Sequence, residues 1–516
     1  MHASETARGR DADPMTQPPR SQRGWRLVSL LTLSLLVALA TALRFLFLAR
    51  KPFWFDECFS VEIARLSWHD FARLMWWREA NMALYYLLLR GWLHFGFSPF
   101  FVRSLSVLIS LLALPSIFWL ARLLFNRRVG LIAVALMSCN AYSIRYAQEA
   151  RSYSLFLLLA TLSSAFFVSY LREPSSRNRW GYILASVLSV YAHFYALLLI
   201  AAQWLSVQFV KESNEKTSAN FRRAWIAIGI AVLPLLAFVA KTGAGQIRWI
   251  WRPSVRDVLD FAEHLAGNDG LPLLLLYAAA GIAVVLPLAK RLFLPVSEWN
   301  VWRVRFLLIW LLFPVVLTLL LSLARPVFLG RYFIFCLPAL IILAATGLAN
   351  LRLRKSWMVA VCLAAMLLLS LQGAFSYYDH DFDLERDGAG AATAYILDHA
   401  QAGDAILFHI AATRIPYEFF SSLQDSRTSS VAGPDIVFPR HGDHLDYRDV
   451  TGKPSAELVR SVAGKYARLW VVLMSNGTPG HPDATTLMLN QALAESLPRV
   501  VVVHFPQIEL RLYSKK

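Results

Sequence analysis

Residues 27–60 read LVSLLTLSLLVALATALRFLFLARKPFWFDECFS. From about Leu27 to Ala49 this is an apolar run, long enough to cross a hydrocarbon core of about 30 Å at about 1.5 Å per residue. The chain emerges at Lys51, and Asp56 and Glu57 stand side by side just beyond. Carboxylates at the mouth of an apolar bundle are costly to place, so such a pair marks a functional site by default. Asp56 is read as a catalytic base with Glu57 as its neighbouring carboxylate. The plainer alternative makes Asp56 the N-cap of a helix over 57–66, with Glu57 in its first turn.

The composition supports a membrane reading. Hydrophobic residues make up 57% of the 516, with 33 Phe, 17 Trp and 18 Tyr, and the mean hydropathy is +0.47. That balance lies outside the range of soluble globular proteins and describes a polytopic membrane protein with a soluble portion. A net charge of +17 would suit nucleic acid, but the Lys and Arg fall in short clusters between apolar runs. That is the pattern of cytoplasmic loops, so membrane lipids are expected as partners and nucleic acid is not. Cys58, Cys139, Cys336 and Cys362 are scattered, with no CxxC pair and no disulfide-like spacing.

Residues 1–26 are polar and Arg-rich and read as a disordered cytoplasmic tail. Ala40-Thr41-Ala42 faintly resembles a signal-peptidase site, but the apolar run continues through Leu48, as in an uncleaved signal anchor. The loop over 50–100 holds an amphipathic stretch, 57–66, and an apolar stretch, 82–97, both expected to lie on the outer surface. If 82–97 does not cross, the basic clusters fall on the cytoplasmic side. These are Arg122, Arg127 and Arg128; Arg172, Arg177 and Arg179; Lys211, Lys216, Arg222 and Arg223; Lys290, Arg291, Arg303 and Arg305; and Arg352, Arg354 and Lys355. About eleven spans result: 27–49, 101–124, 130–147, 153–171, 179–193, 195–211, 223–241, 271–289, 305–324, 331–349 and 357–375. The N-terminus is then cytoplasmic and the C-terminus outside.

The transmembrane domain is thus expected over 27–375 and a soluble extracytoplasmic α/β domain over 376–516. In the latter, helix-like stretches (390–400, 455–467, 483–497) alternate with strand-like runs (405–410, 469–474, 500–504, 508–513). It shows no Gly-rich phosphate loop and no Ser/His/Asp signature. His441, Asp443 and His444 look ligand-like, although a polar loop explains them as well.

This topology gathers unusual polar residues on the outer face. They are Asp56 and Glu57; Gln148, Glu149 and Arg151; His193 at the turn between two short spans; Lys241, Arg248 and Arg252; and Arg331 with Tyr332. Such a rim suits transfer from a lipid-linked phosphate. A carboxylate takes the proton of an acceptor hydroxyl, and arginines, whose planar forks donate in pairs to phosphate oxygens, hold the leaving phosphate. The structural alternatives are an ion pair of Glu149 with Arg151 or Arg145, and a hydrogen-bonded helix-end role for His193.

Several motifs carry a family resemblance over about residues 27–350. They are Phe55-Asp56-Glu57, Leu84-Tyr85-Tyr86, Arg103-Ser104-Leu105-Ser106, Tyr146-Ala147-Gln148-Glu149-Ala150-Arg151-Ser152-Tyr153, Tyr191-Ala192-His193-Phe194-Tyr195-Ala196 and Gly330-Arg331-Tyr332. The chain resembles the bacterial members of glycosyltransferase family 39, protein O-mannosyltransferase-like enzymes of the GT-C fold, whose relatives include the lipid A aminoarabinose transferase. The resemblance implies a polyprenyl-phosphate-linked sugar donor, inversion at the anomeric carbon and an external active site. It matches Asp56 to the family's base and Glu57 to the carboxylate beside it. Arg331, Tyr332 and Arg151 fall to the donor phosphate, and Asn81, Tyr85, Gln148, Glu149, Tyr153 and His193 to the substrate pocket. Where relatives carry His-Pro-Pro or Asn-Pro-Pro before Leu-Tyr-Tyr, this chain has Asn81-Met82-Ala83. Without the prolines the start of that helix is looser, and a different substrate specificity is expected.

The expected reaction is a single in-line displacement that requires no cofactor. A divalent metal stays an option if Asp56, Glu57 and His193 converge. The acceptor, whether lipid, glycan or protein, is left open. Two rivals keep the spans without the chemistry: a lipid or glycan transporter or flippase, and an inactive receptor that binds glycans through its outer domain. Transporters tend to place ionisable residues near mid-membrane on repeated halves. Here the acids sit at span ends and the halves differ.

Overall fold

The computed structural model describes residues 20–51, 53–77, 79–209, 215–242, 250–267, 270–292, 298–351, 357–380, 388–425, 433–439, 452–474, 477–478 and 481–515. The helices of the apolar part are α1 (Arg20–Phe45), α2 (Phe55–Arg65), α3 (Trp68–Trp77), α4 (Ala83–Trp92), α5 (Pro99–Leu124), α6 (Arg127–Cys139), α7 (Ala141–Ala147), α8 (Tyr153–Arg172), α9 (Ser176–Ala192), α10 (Ala196–Val207), α11 (Glu215–Thr242), α12 (Val255–Ala266), α13 (Leu271–Val285), α14 (Ala289–Leu292), α15 (Trp299–Ala324), α16 (Leu337–Asn350) and α17 (Trp357–His380). A 3₁₀ segment, Gly330–Cys336, leads into α16.

Among the described residues, eight helices are long and apolar enough to cross a membrane: Val28–Phe45, Pro99–Leu124, Tyr153–Arg172, Phe221–Lys241, Leu271–Leu292, Trp299–Ala324, Gly330–Asn350 and Trp357–Asp379. The other expected spans fall on the bent pair α6–α7 and on the shorter α9 and α10. Of the expected tail, residues 1–19 lie outside the described residues, and the backbone is helical from Arg20, ahead of the apolar run. The single span expected over 130–147 is broken by 61° at Asn140. Asn140 caps α7 by accepting from the Ser143 N–H (2.9 Å), and its Nδ2 donates to the carbonyls of Leu265 (3.2 Å) and Ala266 (3.0 Å) at the end of α12. An N-cap side chain in mid-run satisfies the freed backbone groups, so the chain can turn there.

Buried polar groups tie the bundle together. Arg44, inside the first apolar run and fully buried, donates to Ser110 Oγ (2.9 Å), Ser143 Oγ (2.9 Å) and the carbonyls of Ala40, Met137 and Ser138, joining α1 to α5, α6 and α7. Gln203 on α10 donates to Ser163 (3.2 Å) and Ser164 (3.3 Å) on α8 and accepts from the Tyr182 hydroxyl (2.9 Å) on α9. In an apolar medium such interhelical bonds give each helix a specific register.

In the C-terminal part, α18 (Ala389–His399), β1 (Ala405–Phe408), α19 (Arg414–Asp425), β2 (Asp435–Phe438), α20 (Ala456–Lys465), β3 (Arg468–Met474), the short pair β4 (Gly477–Thr478) and β5 (His481–Pro482), α21 (Ala484–Ala494), β6 (Arg499–Phe505) and β7 (Ile508–Ser514) follow in order. The main sheet runs β2-β1-β3-β7-β6, with β1 parallel to β2 and β3, and β7 antiparallel to β3 and β6. It is the expected α/β alternation with additions: α19, β2 and the short β4–β5 pair were not foreseen. Ile415 and Phe419 of α19 are fully buried and belong to the hydrophobic cluster of the helical bundle. His441, Asp443 and His444 lie outside the described residues.

Candidate active site

Helix α2 begins at Phe55 with Trp54 at its N-cap position, so Asp56 lies in the first turn and does not cap it. Ser60 Oγ donates to the Asp56 carbonyl (2.9 Å), an ordinary one-turn contact, and the carboxylate stays partly exposed. Arg151 Nη2 lies 3.8 Å and Arg331 Nη1 3.6 Å from Asp56 Oδ2. Two cations from segments far apart in sequence therefore converge on one acid. Arg151 also donates to the Asp56 carbonyl (3.4 Å) and to Ser60 Oγ (3.3 Å), which fixes the turn that carries the acid.

Glu57 faces the other way. Its carboxylate is fully buried and takes a paired contact from Arg103, Nε to Oε1 at 2.8 Å and Nη2 to Oε2 at 2.5 Å, and it also accepts from the Ala150 N–H at 2.8 Å. Arg103 in turn donates to the carbonyls of Leu48 (3.1 Å) and Lys51 (2.7 Å). A buried ion pair persists when its remaining donors and acceptors are met, as they are here.

The remaining expected residues divide between the rim and its frame. Tyr153, Tyr332 and His193 form an aromatic wall: His193 stacks on Phe156 at 5.0 Å and meets Tyr332 at 4.7 Å. Its Nδ1 accepts from the Tyr195 N–H (3.2 Å), which fixes the turn between α9 and α10. The buried Tyr153 hydroxyl, His193 Nε2 and Arg151 Nε have no hydrogen-bond partner among the described residues. Buried polar atoms in that condition call for a functional account.

The frame holds the others. Gln148 Nε2 donates to the carbonyls of Arg44 (2.9 Å) and Leu46 (2.8 Å). Glu149 pairs with Lys51 (3.4 Å). The Tyr85 hydroxyl is bonded to Ser106 Oγ (2.8 Å), and Asn81 Oδ1 accepts from the Phe194 N–H (3.3 Å) at the α9–α10 turn. At the entry to α4, where the prolines are missing, Met82 is buried at the N-cap position in the left-handed region at φ 68 and makes no capping side-chain bond. Lys241 lies over the Trp77 ring, Arg252 lines a hollow that Arg331 also lines, and Arg248 lies outside the described residues.

Two residues of this site had no role from the sequence: Glu79, and Tyr86, named only within the motif Leu84-Tyr85-Tyr86. Glu79 lies within electrostatic reach of Arg151 and Asp56; burial pushes its carboxyl up to about 7, Asp56 adds to the rise, and Arg151 opposes it. Tyr86, buried on α4, interacts with the same charges. A Glu placed just after the aromatic pair Trp76-Trp77 was the available signal. The hollow that Arg252 lines is a cavity of about 310 Å³ beside Arg331, bounded also by Tyr142, Arg145, Trp251, Asp260 and His264. The bend at Asn140 carries α7 to its wall. Among the described residues no three His, Cys, Asp or Glu side chains gather as a metal ion needs.

Neither a protein-family profile nor a curated protein matches the sequence. Solved structures do match. ArnT from Cupriavidus metallidurans in the apo state superposes with a TM-score of 0.63 at 13% identity, over 95% of this chain and 98% of that one. The same protein bound to undecaprenyl phosphate gives 0.61 at 15% identity with the same coverage. The archaeal oligosaccharyltransferase AglB from Archaeoglobus fulgidus, in complex with an inhibitory peptide and a dolichol-phosphate, gives 0.51 at 10% identity, over 88% of this chain and 70% of that one. The chain therefore has the GT-C fold, helical bundle and C-terminal α/β part together.

Proposed function

We propose that this chain is a membrane glycosyltransferase that moves a sugar from a polyprenyl-phosphate donor to an acceptor at the outer face of the cytoplasmic membrane. The observation that carries the reading is Asp56, a partly exposed carboxylate flanked by Arg151 and Arg331 at 3.8 Å and 3.6 Å. The fold shared with ArnT, which has been solved with undecaprenyl phosphate, supports the donor class. The basic clusters between spans support a cytoplasmic N-terminus and an extracytoplasmic C-terminal domain.

In the reaction, the acceptor's O–H proton passes to the Asp56 carboxylate while its oxygen bonds to the anomeric carbon. The bond from that carbon to the phosphate oxygen breaks on the opposite face, giving inversion. Its electron pair stays on the phosphate, whose charge Arg331 and Arg151 hold. Tyr153, Tyr332 and His193 wall the sugar, and the unpartnered polar atoms of Tyr153 and His193 bond its hydroxyls. Glu57 acts one step removed, by fixing the turn that carries Asp56.

The test is to incubate the purified protein and Asp56→Asn with a panel of radiolabelled polyprenyl-phosphate sugars and score transfer or slow hydrolysis. Turnover that falls about 10²–10⁴-fold in the variant, with donor binding retained, supports the reading and names the sugar. Equal turnover in both removes Asp56 from the chemistry. Donor binding without turnover by the wild type, with every acceptor class supplied, favours a transporter.

A further inference from the structure

Phe419 belongs to the C-terminal domain by sequence and to the helical bundle by packing. It is fully buried in the bundle's hydrophobic cluster, together with Ile415 one turn earlier. Its ring stacks on Phe53 at 4.5 Å with planes 17° apart, and meets Phe97 at 5.4 Å. Phe53 lies three positions before Asp56, just ahead of α2. The guanidinium of Arg103 sits over the same Phe53 ring at 5.1 Å while it holds Glu57. Contact therefore runs unbroken from Phe419 through Phe53 and Arg103 to the residue beside Asp56.

A second contact repeats the attachment at the other end of α2. Arg65 Nη1 donates to Ser422 Oγ of α19 (3.3 Å) and pairs with Glu62 (3.1 Å), and its guanidinium lies over Phe97 at 4.7 Å. Phe53, just ahead of the helix that carries Asp56, and Arg65, that helix's last residue, thus touch one helix of the C-terminal domain. Stacked aromatic rings fix angle as well as distance, because offset geometries are preferred over a range of others. Arg331, by contrast, reaches the acid from the segment before α16.

We propose that α19 is a positioning element for the reaction: Phe419 holds Phe53, and with it the turn bearing Asp56, in the geometry that transfer requires. The inference rests on reading Asp56 as the base. It makes the C-terminal domain a working part of the transferase, beyond any cover or acceptor-recognition role. Its loss misplaces the base directly and reaches the donor's phosphate site only through Arg151, which is bonded to the same turn, while Arg331 comes from another segment; it therefore lowers kcat more than donor affinity. Displacing a catalytic group by about 1 Å costs on the order of 10²-fold in rate.

The experiment uses the full chain in detergent as wild type, Phe419→Ala, Phe419→Leu and Leu489→Ala. Leu489, on α21, is buried in a hydrophobic core of the C-terminal domain that does not include Phe419, and serves as a control for general destabilisation. Sugar transfer or donor hydrolysis, donor affinity and amide hydrogen exchange over residues 53–60 are measured well below the melting temperature. The expected result is a kcat about 10-fold or more lower in Phe419→Ala, with donor affinity falling by much less than kcat, faster exchange at 53–60, and partial recovery in Phe419→Leu. Leu489→Ala should lower the melting temperature alone. Exchange at 53–60 unchanged in a folded Phe419→Ala protein, or an equal loss of kcat in Leu489→Ala, overturns the proposal. Faster exchange in Phe419→Ala together with a wild type that turns over no donor supports the positioning contact and overturns the transferase reading instead.

Discussion

Arg103 and Glu57 face each other through two parallel N–H to oxygen contacts at 2.8 Å and 2.5 Å, both side chains closed to solvent. The pair joins α5 to the first turn of α2. Because Glu57 is immobilised at one helical position, its neighbour Asp56 is aimed about 100° around the helix, toward Arg151 and Arg331. Two adjacent acids thereby take different positions: one is anchored in the bundle, the other is partly exposed between two arginines.

Breaking the anchor should unfold the site, while changing the base should not. Glu57→Ala leaves Arg103 buried without its counter-charge, and removing one member of such a pair costs about 3–5 kcal/mol. The expected outcome is a clear fall in the thermal midpoint in detergent, together with a lower kcat in the protein that remains folded, because Asp56 is no longer aimed. Asp56→Asn should melt with the wild type and lack turnover. Matching melting curves for Glu57→Ala and Asp56→Asn would show that Arg103 finds other partners.

The acids Glu79 and Glu62 make stability depend on pH near neutrality. Burial raises both carboxyls from 4.5 to about 7, with Arg151 opposing at Glu79 and Arg65 at Glu62. Between about 4.5 and 7 the folded chain therefore binds more protons than the unfolded chain, so these groups favour folding at the acid end of that window. Their contribution is lost as pH rises through about 7. The midpoint of the wild type should fall across this window by more than that of Glu79→Gln or Glu62→Gln, and the double variant should be flattest. Parallel curves for all four proteins would place both acids in water.

The contrast between what the sequence showed and what it hid has a physical pattern. The long apolar runs, the α9–α10 break at His193 and the α/β alternation are local properties and were legible. Arg151 and Arg331 were both placed on the outer rim, among other basic residues, but their convergence on Asp56 was hidden because it depends on how segments far apart in sequence pack. Glu79 was hidden because its significance is a distance to Asp56 set by how α3 and α4 fold back. Helix α19 was hidden for a related reason: Ile415 and Phe419 make a stripe only one turn long, in a segment containing Pro416, too short for periodicity to rise above a loop. The capping alternative for Asp56 failed by a shift of register, since Trp54 starts the helix. Exact helix starts are the least determined feature of a sequence.

The approach of α13 to α16 gives a test of the bundle that leads back to the site. Gly347 on α16 lies against Ala280 on α13 so closely that an added Cβ would stand 2.0 Å from the Ala280 carbonyl oxygen, a backbone atom that cannot rotate away. Small residues permit such contact between membrane helices, where packing replaces the hydrophobic effect as the force that joins them. At Gly281, the next residue on α13, an added Cβ would meet no atom within 4 Å. The substitution Gly281→Ala should therefore be neutral or raise stability by up to about 1 kcal/mol through helix propensity. Gly347→Ala must push the helices apart, at a cost of about 1–3 kcal/mol for overpacking. Since α16 follows directly from the segment Gly330–Cys336 that carries Arg331, the displacement should also weaken donor binding. Thermal unfolding and donor titration of the two variants separate the outcomes: a Gly347→Ala protein as stable as Gly281→Ala, with wild-type donor affinity, would show that α13 and α16 slide past the clash without moving Arg331.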